Sequence, residues 1–371
     1  MRRINTDEAT ILRLFDGFAS GEGLSLQDAR SHETFIARVS ATLAQLRSNP
    51  IAIHGLRVQS MFAYVAGAMG ECSAIMEEDA GLFLADSVDL RRPDFRIVTK
   101  TGAQFLVEVK SHSPDKPLAP FRLKASYLAK LEAYARRCGQ SLKIAVYWRH
   151  VEGMWTLVDA KFLDQDKDGY LLMFPEALKR NEMSTLGDCM IGTVPPLALR
   201  LYTDPEKPRR IGPDGLANLT IERVAICAAG KEIEEPVERD LAWFFMMHGR
   251  WVETGAPAEV KDGELIFFDI QFAPEMDDHP EQEFTSVGWL SQMISRQYRS
   301  LTAADGAVTL LTPKRAPGDL GVLIPKDYNG KVLHLWRFSL QPGYDDVLRA
   351  AQPEAGELDR SGPAAEVNET E

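Results

Sequence analysis

The stretch RRPDFRIVTKTGAQFLVEVKSH, residues 91–112, decides how this chain is read. DFRIV and QFLVEV are rich in β-branched and aromatic residues, and TKTGA between them carries a turn glycine, so a hairpin is predicted. Side chains along a strand alternate between faces. Phe105, Val107 and Val109 therefore share one face, and Leu106, Glu108 and Lys110 the other. With the turn centred near Thr101 and Gly102, Asp94 falls opposite Glu108 or Val109. Two carboxylates about 5 Å apart on a sheet repel unless a cation lies between them or one is protonated. Mg2+ takes oxygen ligands at about 2.0–2.1 Å and completes its octahedron with water and phosphate. Asp94, Glu108 and the Val109 backbone carbonyl can supply one face of that octahedron, and Lys110 can orient water and screen developing charge.

Working outward, HGLRVQSMFAYVAGAMG predicts a helix ending at Gly70, and CSAIMEE a short strand before the hairpin. FRLKASYLAKLEAYARRCG repeats apolar residues at Leu123, Tyr127, Leu131 and Tyr134 and is read as a helix stopping at Gly139. LKIAVYW is a continuous apolar run of the kind buried on both sheet faces. The expected organisation is a helical N-terminal extension (1–50), an α/β domain (51–165), a C-terminal α+β domain of unknown role (166–346) and a disordered acidic tail (347–371).

Composition narrows the function classes. The net charge is −12 and the pI about 5.2, which does not suit a protein that coats nucleic acid. Charge is unevenly placed, however. Residues 91–150 hold 13 Lys/Arg against four acids, and a phosphate backbone responds to the field within about one Debye length, roughly 8–10 Å. The cysteines Cys72, Cys138, Cys189 and Cys227 form no CxxC pair, which argues against a zinc ribbon or disulfide framework. No signal-peptide pattern and no membrane span is read, so no membrane partner and a cytoplasmic setting are expected. The chain shows no G-x-S-x-G, P-loop or Rossmann fingerprint.

The pattern Pro93-Asp94, then Glu108-Val109-Lys110 on the second hairpin strand, resembles the PD-(D/E)XK nuclease superfamily of restriction endonucleases and Holliday-junction resolvases. The resemblance covers roughly residues 54–150, where the predicted order of helix, three strands, helix and strand is similar to that superfamily's core. It implies a restriction endonuclease-like α/β fold, a mixed sheet flanked by helices. It implies an endonuclease cutting DNA phosphodiesters with Mg2+, for which Mn2+ can substitute, and leaving 5′-phosphate and 3′-hydroxyl ends. Many members place an acid on the first core helix; here Gln59 is the first candidate for that place and Glu78 the second. Arg122 and Lys124, read as the first turn of the basic helix, are candidates to hold substrate phosphate. The runner-up is a catalytically inactive nuclease-like DNA-binding or assembly module, and an RNA phosphodiesterase is a third reading. A homodimer or protein partner is expected to engage the C-terminal domain.

Other features carry blander readings. The acids around His279 in residues 275–283 read as a surface loop, His112 as a weak phosphate candidate, and VGWLSQMISRQYRSL as a packed helix whose Arg296 and Arg299 are compatible with nucleic acid.

Overall fold

The computed structural model describes residues 8–343, except 80–82, 87–88, 115, 117–118, 277–280, 320–323 and 326. The expected acidic tail and His279 lie outside the described residues. What is described is a mixed α/β structure with several sheets and seven α-helices.

The chain opens with α1 (Glu8–Glu22), α2 (Ala29–Arg47) and α3 (Pro50–Met69). Helix α3 starts where the Asn49 side chain accepts the Ala52 N–H at 3.1 Å and Pro50 supplies a preset φ. It ends at Gly70, whose φ of 89° is left-handed backbone that glycine adopts without strain. Its buried residues Val58, Met61, Phe62, Val65 and Met69 recur at helical spacing and form one stripe.

Next come β1 (Cys72–Glu77), β2 (Phe95–Thr99), β3 (Gln104–His112), β4 (Phe121–Leu123), α4 (Ala125–Cys138), β5 (Ser141–Trp148) and β6 (Met154–Asp159). The main sheet runs β1-β2-β3-β5-β6. β2 and β3 are the predicted antiparallel hairpin, with Phe95 paired to Val107 and Ile97 to Phe105. β3 and β5 are parallel, joined by a crossover that contains α4. The alternation in β3 sorts the two faces. Phe105, Val107 and Val109 join the core under α3, while Leu106 joins Leu128, Leu131 and Ile144 under α4. β5 is buried from Leu142 to Trp148, as its apolar run predicted.

Two strands and a short helix, β7 (Asp164–Asp166), β8 (Gly169–Leu172) and α5 (Phe174–Lys179), follow. Strand β8 pairs with β4 on one side and β7 on the other. The remainder contains β9 (Met190–Thr193), β10 (Leu197–Thr203), β11 (Ile221–Ala228), β12 (Lys231–Glu232), α6 (Pro236–His248), β13 (Val252–Gly255), β14 (Ala258–Lys261), β15 (Glu264–Ala273), β16 (Thr285–Trp289) and α7 (Leu290–Thr302). β17 (Ala303–Ala304), β18 (Ala307–Val308) and β19 (Leu335–Phe338), the last paired with β9, complete the strands of the described residues. Residues 204–220 connect β10 to β11 inside one antiparallel sheet.

One apolar cluster runs through both halves: Phe62 and Val65 of α3, Trp155 and Leu157 of β6, Leu241 and Phe245 of α6, and Met293, Ile294 and Tyr298 of α7. Residue 165 therefore does not separate two cores. Polar contacts support the joint, since Trp155 Nε1 donates to Ser295 Oγ at 2.9 Å. Buried Asp188 accepts the Ser291 N–H at 2.9 Å and the Ser291 hydroxyl at 2.7 Å, at the start of α7. Burial pushes the Asp188 carboxyl up to about 6. Asp188→Ala is expected to lower the unfolding free energy in a urea titration by about 1–2 kcal/mol, the worth of a helix cap. A loss below about 0.3 kcal/mol would mean that α7 is held by its apolar face alone.

Candidate active site

Asp94 is the residue before β2, and the Phe95–Val107 pairing carries it across the hairpin from Glu108. Both acids are buried, Asp94 at 5 % and Glu108 at 1 % exposure, which is unusual for carboxylates. Asp94 is held on both oxygens. Oδ2 accepts the Val109 N–H at 2.6 Å, and Oδ1 accepts from the Gln59 amide at 2.5 Å. Burial and the Glu108 charge push the Asp94 carboxyl up to about 7, against the smaller opposing pull of the Val109 N–H and Lys110.

Glu108 Oε1 accepts from the Lys110 ammonium and from the Tyr127 hydroxyl of α4. Lys110 Nζ also lies 3.1 Å from the Tyr127 hydroxyl oxygen and 3.3 Å from the Val109 carbonyl. Burial opposes the charge on Lys110, but Glu108, Tyr127 and Asp94 together raise its pKa above the ordinary lysine value. Burial and Glu108 raise that of Tyr127 as well. The second oxygen, Glu108 Oε2, is buried and meets no hydrogen-bond donor among the described residues. A buried carboxylate oxygen without a donor or cation is costly.

These groups line a pocket of about 320 Å³. Its remaining wall comes from Asp79, Phe83, Leu90, Arg91 and Arg92. The Arg91 guanidinium sits 4.5 Å from the Tyr127 ring centroid and that of Arg92 5.0 Å from Phe83. Arg92 also donates to the Asp79 carbonyl at 2.8 Å. Desolvation in the cleft and the Glu108 charge raise the Asp79 carboxyl. Asp79, Arg91, Arg92 and Tyr127 were not among the residues expected in the site. For the arginines a signal existed, because they directly precede Pro93-Asp94.

The structure brings Asp94, Glu108, Lys110, the Val109 carbonyl and Gln59 together and leaves the other candidates apart. Glu78 forms a two-point ion pair with Arg96, at 2.7 and 3.0 Å, and accepts from Tyr134. Burial works against its charge, yet these partners hold the Glu78 carboxyl below the usual range. Arg122 is not in a helical turn: it lies in β4 and pairs with Asp166 at 2.6 Å. Lys124 is the extended residue that precedes α4, with ψ 138°. Neither lines the pocket. His112 packs edge-on against Phe121, Trp148 and His150 and contacts the Ala119 carbonyl at 3.0 Å, as a core histidine does.

The donor set suits a hydrated divalent cation better than a closed protein cage. Asp94 and the orphaned Glu108 oxygen offer oxygen ligands at the pocket, and the Val109 carbonyl lies next to them, 3.3 Å from Lys110 Nζ. No group of three or more His, Cys, Asp or Glu among the described residues is placed to share a metal ion.

No protein-family model matches the chain, and no curated protein matches its sequence. Among solved structures, the Archaeoglobus fulgidus Hjc, a Holliday junction resolvase from an archaeal hyperthermophile, matches at 17 % identity and a TM-score of 0.23. That match covers 28 % of this chain and 77 % of the resolvase. No helix among the described residues is long and apolar enough to cross a membrane.

Proposed function

We propose that the chain is a Mg2+-dependent nuclease that hydrolyses DNA phosphodiester bonds at the pocket formed by Asp94, Glu108 and Lys110. The observation that carries this reading is Glu108: its carboxylate is 1 % exposed, one oxygen has no donor, and a second buried carboxylate and an ammonium group lie beside it. Buried groups in that state are retained where charge chemistry needs them.

Asp94, Glu108 Oε2 and the Val109 carbonyl would hold the ion. When bound, a divalent cation supplies Lewis acidity toward phosphate and acidifies its water. The chain's own groups do the rest. Gln59 and the Val109 N–H fix the Asp94 carboxylate in place, which limits its reorganisation. Lys110 brings a positive charge to the negative charge that builds on the phosphate oxygens, and Tyr127 and Glu108 fix the position of its ammonium. Arg91 and Arg92 at the rim supply donors for the flanking phosphates.

The test is incubation with linear, circular and branched DNA, and with RNA, in Mg2+ or Mn2+, beside Asp94→Ala and Lys110→Ala. Cleavage that needs the cation and disappears in both variants is the expected result. DNA binding without cutting under any metal would instead favour the binding module, and cutting of RNA alone would reassign the substrate.

A further inference from the structure

A second feature lies outside the pocket. On α3, His54 and Arg57 are three residues apart, and on α7, Arg296 and Arg299 have the same spacing, so each pair shares a helix face. The two helices meet there: Arg57 Nη2 donates to the Arg299 carbonyl at 3.3 Å and to the Thr302 hydroxyl at 3.0 Å. Arg149, just beyond β5, bears on His54, and Arg250, just beyond α6, bears on Arg296. Among the described residues, the carboxylate ion-paired with these six basic groups is Glu152, 3.5 Å from Arg296 and itself exposed.

This is a local concentration of positive charge in a chain of net charge −12. Several arginines elsewhere meet carboxylates, as Arg96, Arg122, Arg200 and Arg223 do. Among the described residues Arg57, Arg149, Arg250 and Arg299 form no ion pair, and the buried Arg57 Nε has no acceptor at all. Burial and mutual repulsion lower the pKa values of His54 and Arg57. A polyanion laid across the cluster would relieve both.

The cluster also adjoins the proposed site. His54 Nε2 lies 3.1 Å from Ser111 Oγ, and Ser111 follows Lys110 directly. The Arg149 N–H donates to the His112 carbonyl at 3.0 Å. Along α3, His54 precedes Gln59 by five residues, about 7.5 Å of helix rise, or roughly two nucleotide steps of 3.4 Å. The basic groups and the pocket thus flank one end of the sheet, the C-terminal ends of β3 and β5.

We propose that His54, Arg57, Arg149 and Arg299 form a track for a nucleic-acid phosphate backbone, which carries the strand over this edge toward Lys110. The track rests on the phosphodiesterase reading of the pocket for its direction, and α7 supplies Arg299 to it. The C-terminal segment thereby acquires a role in substrate binding. The buried face of α7, with Met293, Ile294 and Tyr298, is unaffected, since Arg296 and Arg299 lie on its other side.

The test measures binding of fluorescein-labelled duplex DNA and duplex RNA by anisotropy, in EDTA so that nothing is cut, across a range of salt. Arg149→Glu with Arg299→Glu changes two exposed side chains, and Arg136→Glu with Arg137→Glu on α4 is the control of equal charge. The track variant is expected to lose roughly 10- to 100-fold in affinity, and its slope of log K against log salt to shrink by about two, while the control changes little. An unchanged slope, a loss no greater than the control's, or no binding by the wild-type chain overturns the track. Hydrolysis of bis(p-nitrophenyl) phosphate, too small to reach the track, reads the pocket separately. If the wild type hydrolyses it and Asp94→Ala does not, the pocket reading stands whatever the track shows; binding without hydrolysis leaves the track standing alone.

Discussion

Glu108→Gln is expected to reduce metal-dependent cleavage by on the order of 10³-fold while leaving the fold intact. The substitution keeps the shape of a side chain that is 1 % exposed. It removes the charge that Lys110 pairs with, and it turns one of the two oxygens into an NH2 group. If that nitrogen takes the place of Oε2, which has no donor now, the hydrogen bonds at Oε1 are kept without their charge, and the surface offered to a cation is reversed from acceptor to donor. If it takes the place of Oε1, it faces the Lys110 ammonium, a donor that must move away, while the Tyr127 hydroxyl can turn to accept. Either way the cation loses a charged ligand. The check is kinetic and physical together: single-turnover cleavage, and Tb3+ luminescence titrated into the metal-free chain. A variant that cuts within about tenfold of the wild type would remove Glu108 from the chemistry. Tyr127→Phe leaves Lys110 and Glu108 paired and removes only the hydroxyl that steadies them, so a loss of roughly tenfold is expected from it.

How much of this was legible depends on the range of the interaction. The facing of Glu108 and Lys110 follows from a period of two residues, and the approach of Asp94 needs only a hairpin turn, so both could be read from 22 consecutive residues. The contribution of α3 was ambiguous because helix phase relative to a sheet is set by packing; Gln59 reaches Asp94 because Val58, Met61, Phe62 and Val65 face the sheet. Glu78 stood second to Gln59 in sequence; in the structure Arg96 and Tyr134 engage it, and Tyr134 lies 56 residues away. Arg122 was misplaced for a similar reason. FRL continues the apolar rhythm of α4, but its backbone pairs with Leu172, Leu171 and Tyr170, a partner that no local periodicity reveals. In the C-terminal half, VGWLSQMISRQYRSL was legible as a packed helix and α7 occupies Leu290–Thr302 of it, while β10 and β11 were not singled out. That this half shares a core with α3 and β6 was not legible, because Phe62, Trp155 and Met293 meet across more than 200 residues of chain.

Asp94→Asn is expected to make the metal-free chain more stable at pH 8 by on the order of 3 kcal/mol, and to make little difference at pH 3. The sign follows from the proton. In the unfolded chain Asp94 titrates at its ordinary value of 3.8, whereas in the folded chain burial and Glu108 push it up to about 7. Between those values the folded state holds a proton that the unfolded state has released. The unfolded state therefore gains as pH rises from about 4, and stability falls until Asp94 ionises in the fold, after which the loss is constant. Asparagine has no such titration. Its Oδ1 can still accept the Val109 N–H, and Gln59 can turn its amide to present oxygen to the new NH2 group, so the hydrogen bonds survive. Urea titrations of both chains from pH 3 to 8, in EDTA, should diverge across this window, with the variant the more stable. A divalent cation should reverse the order, because it stabilises only the chain that keeps both carboxylates. Parallel curves at every pH would mean that Asp94 is ionised without strain, and the case for two carboxylates awaiting one cation would be lost.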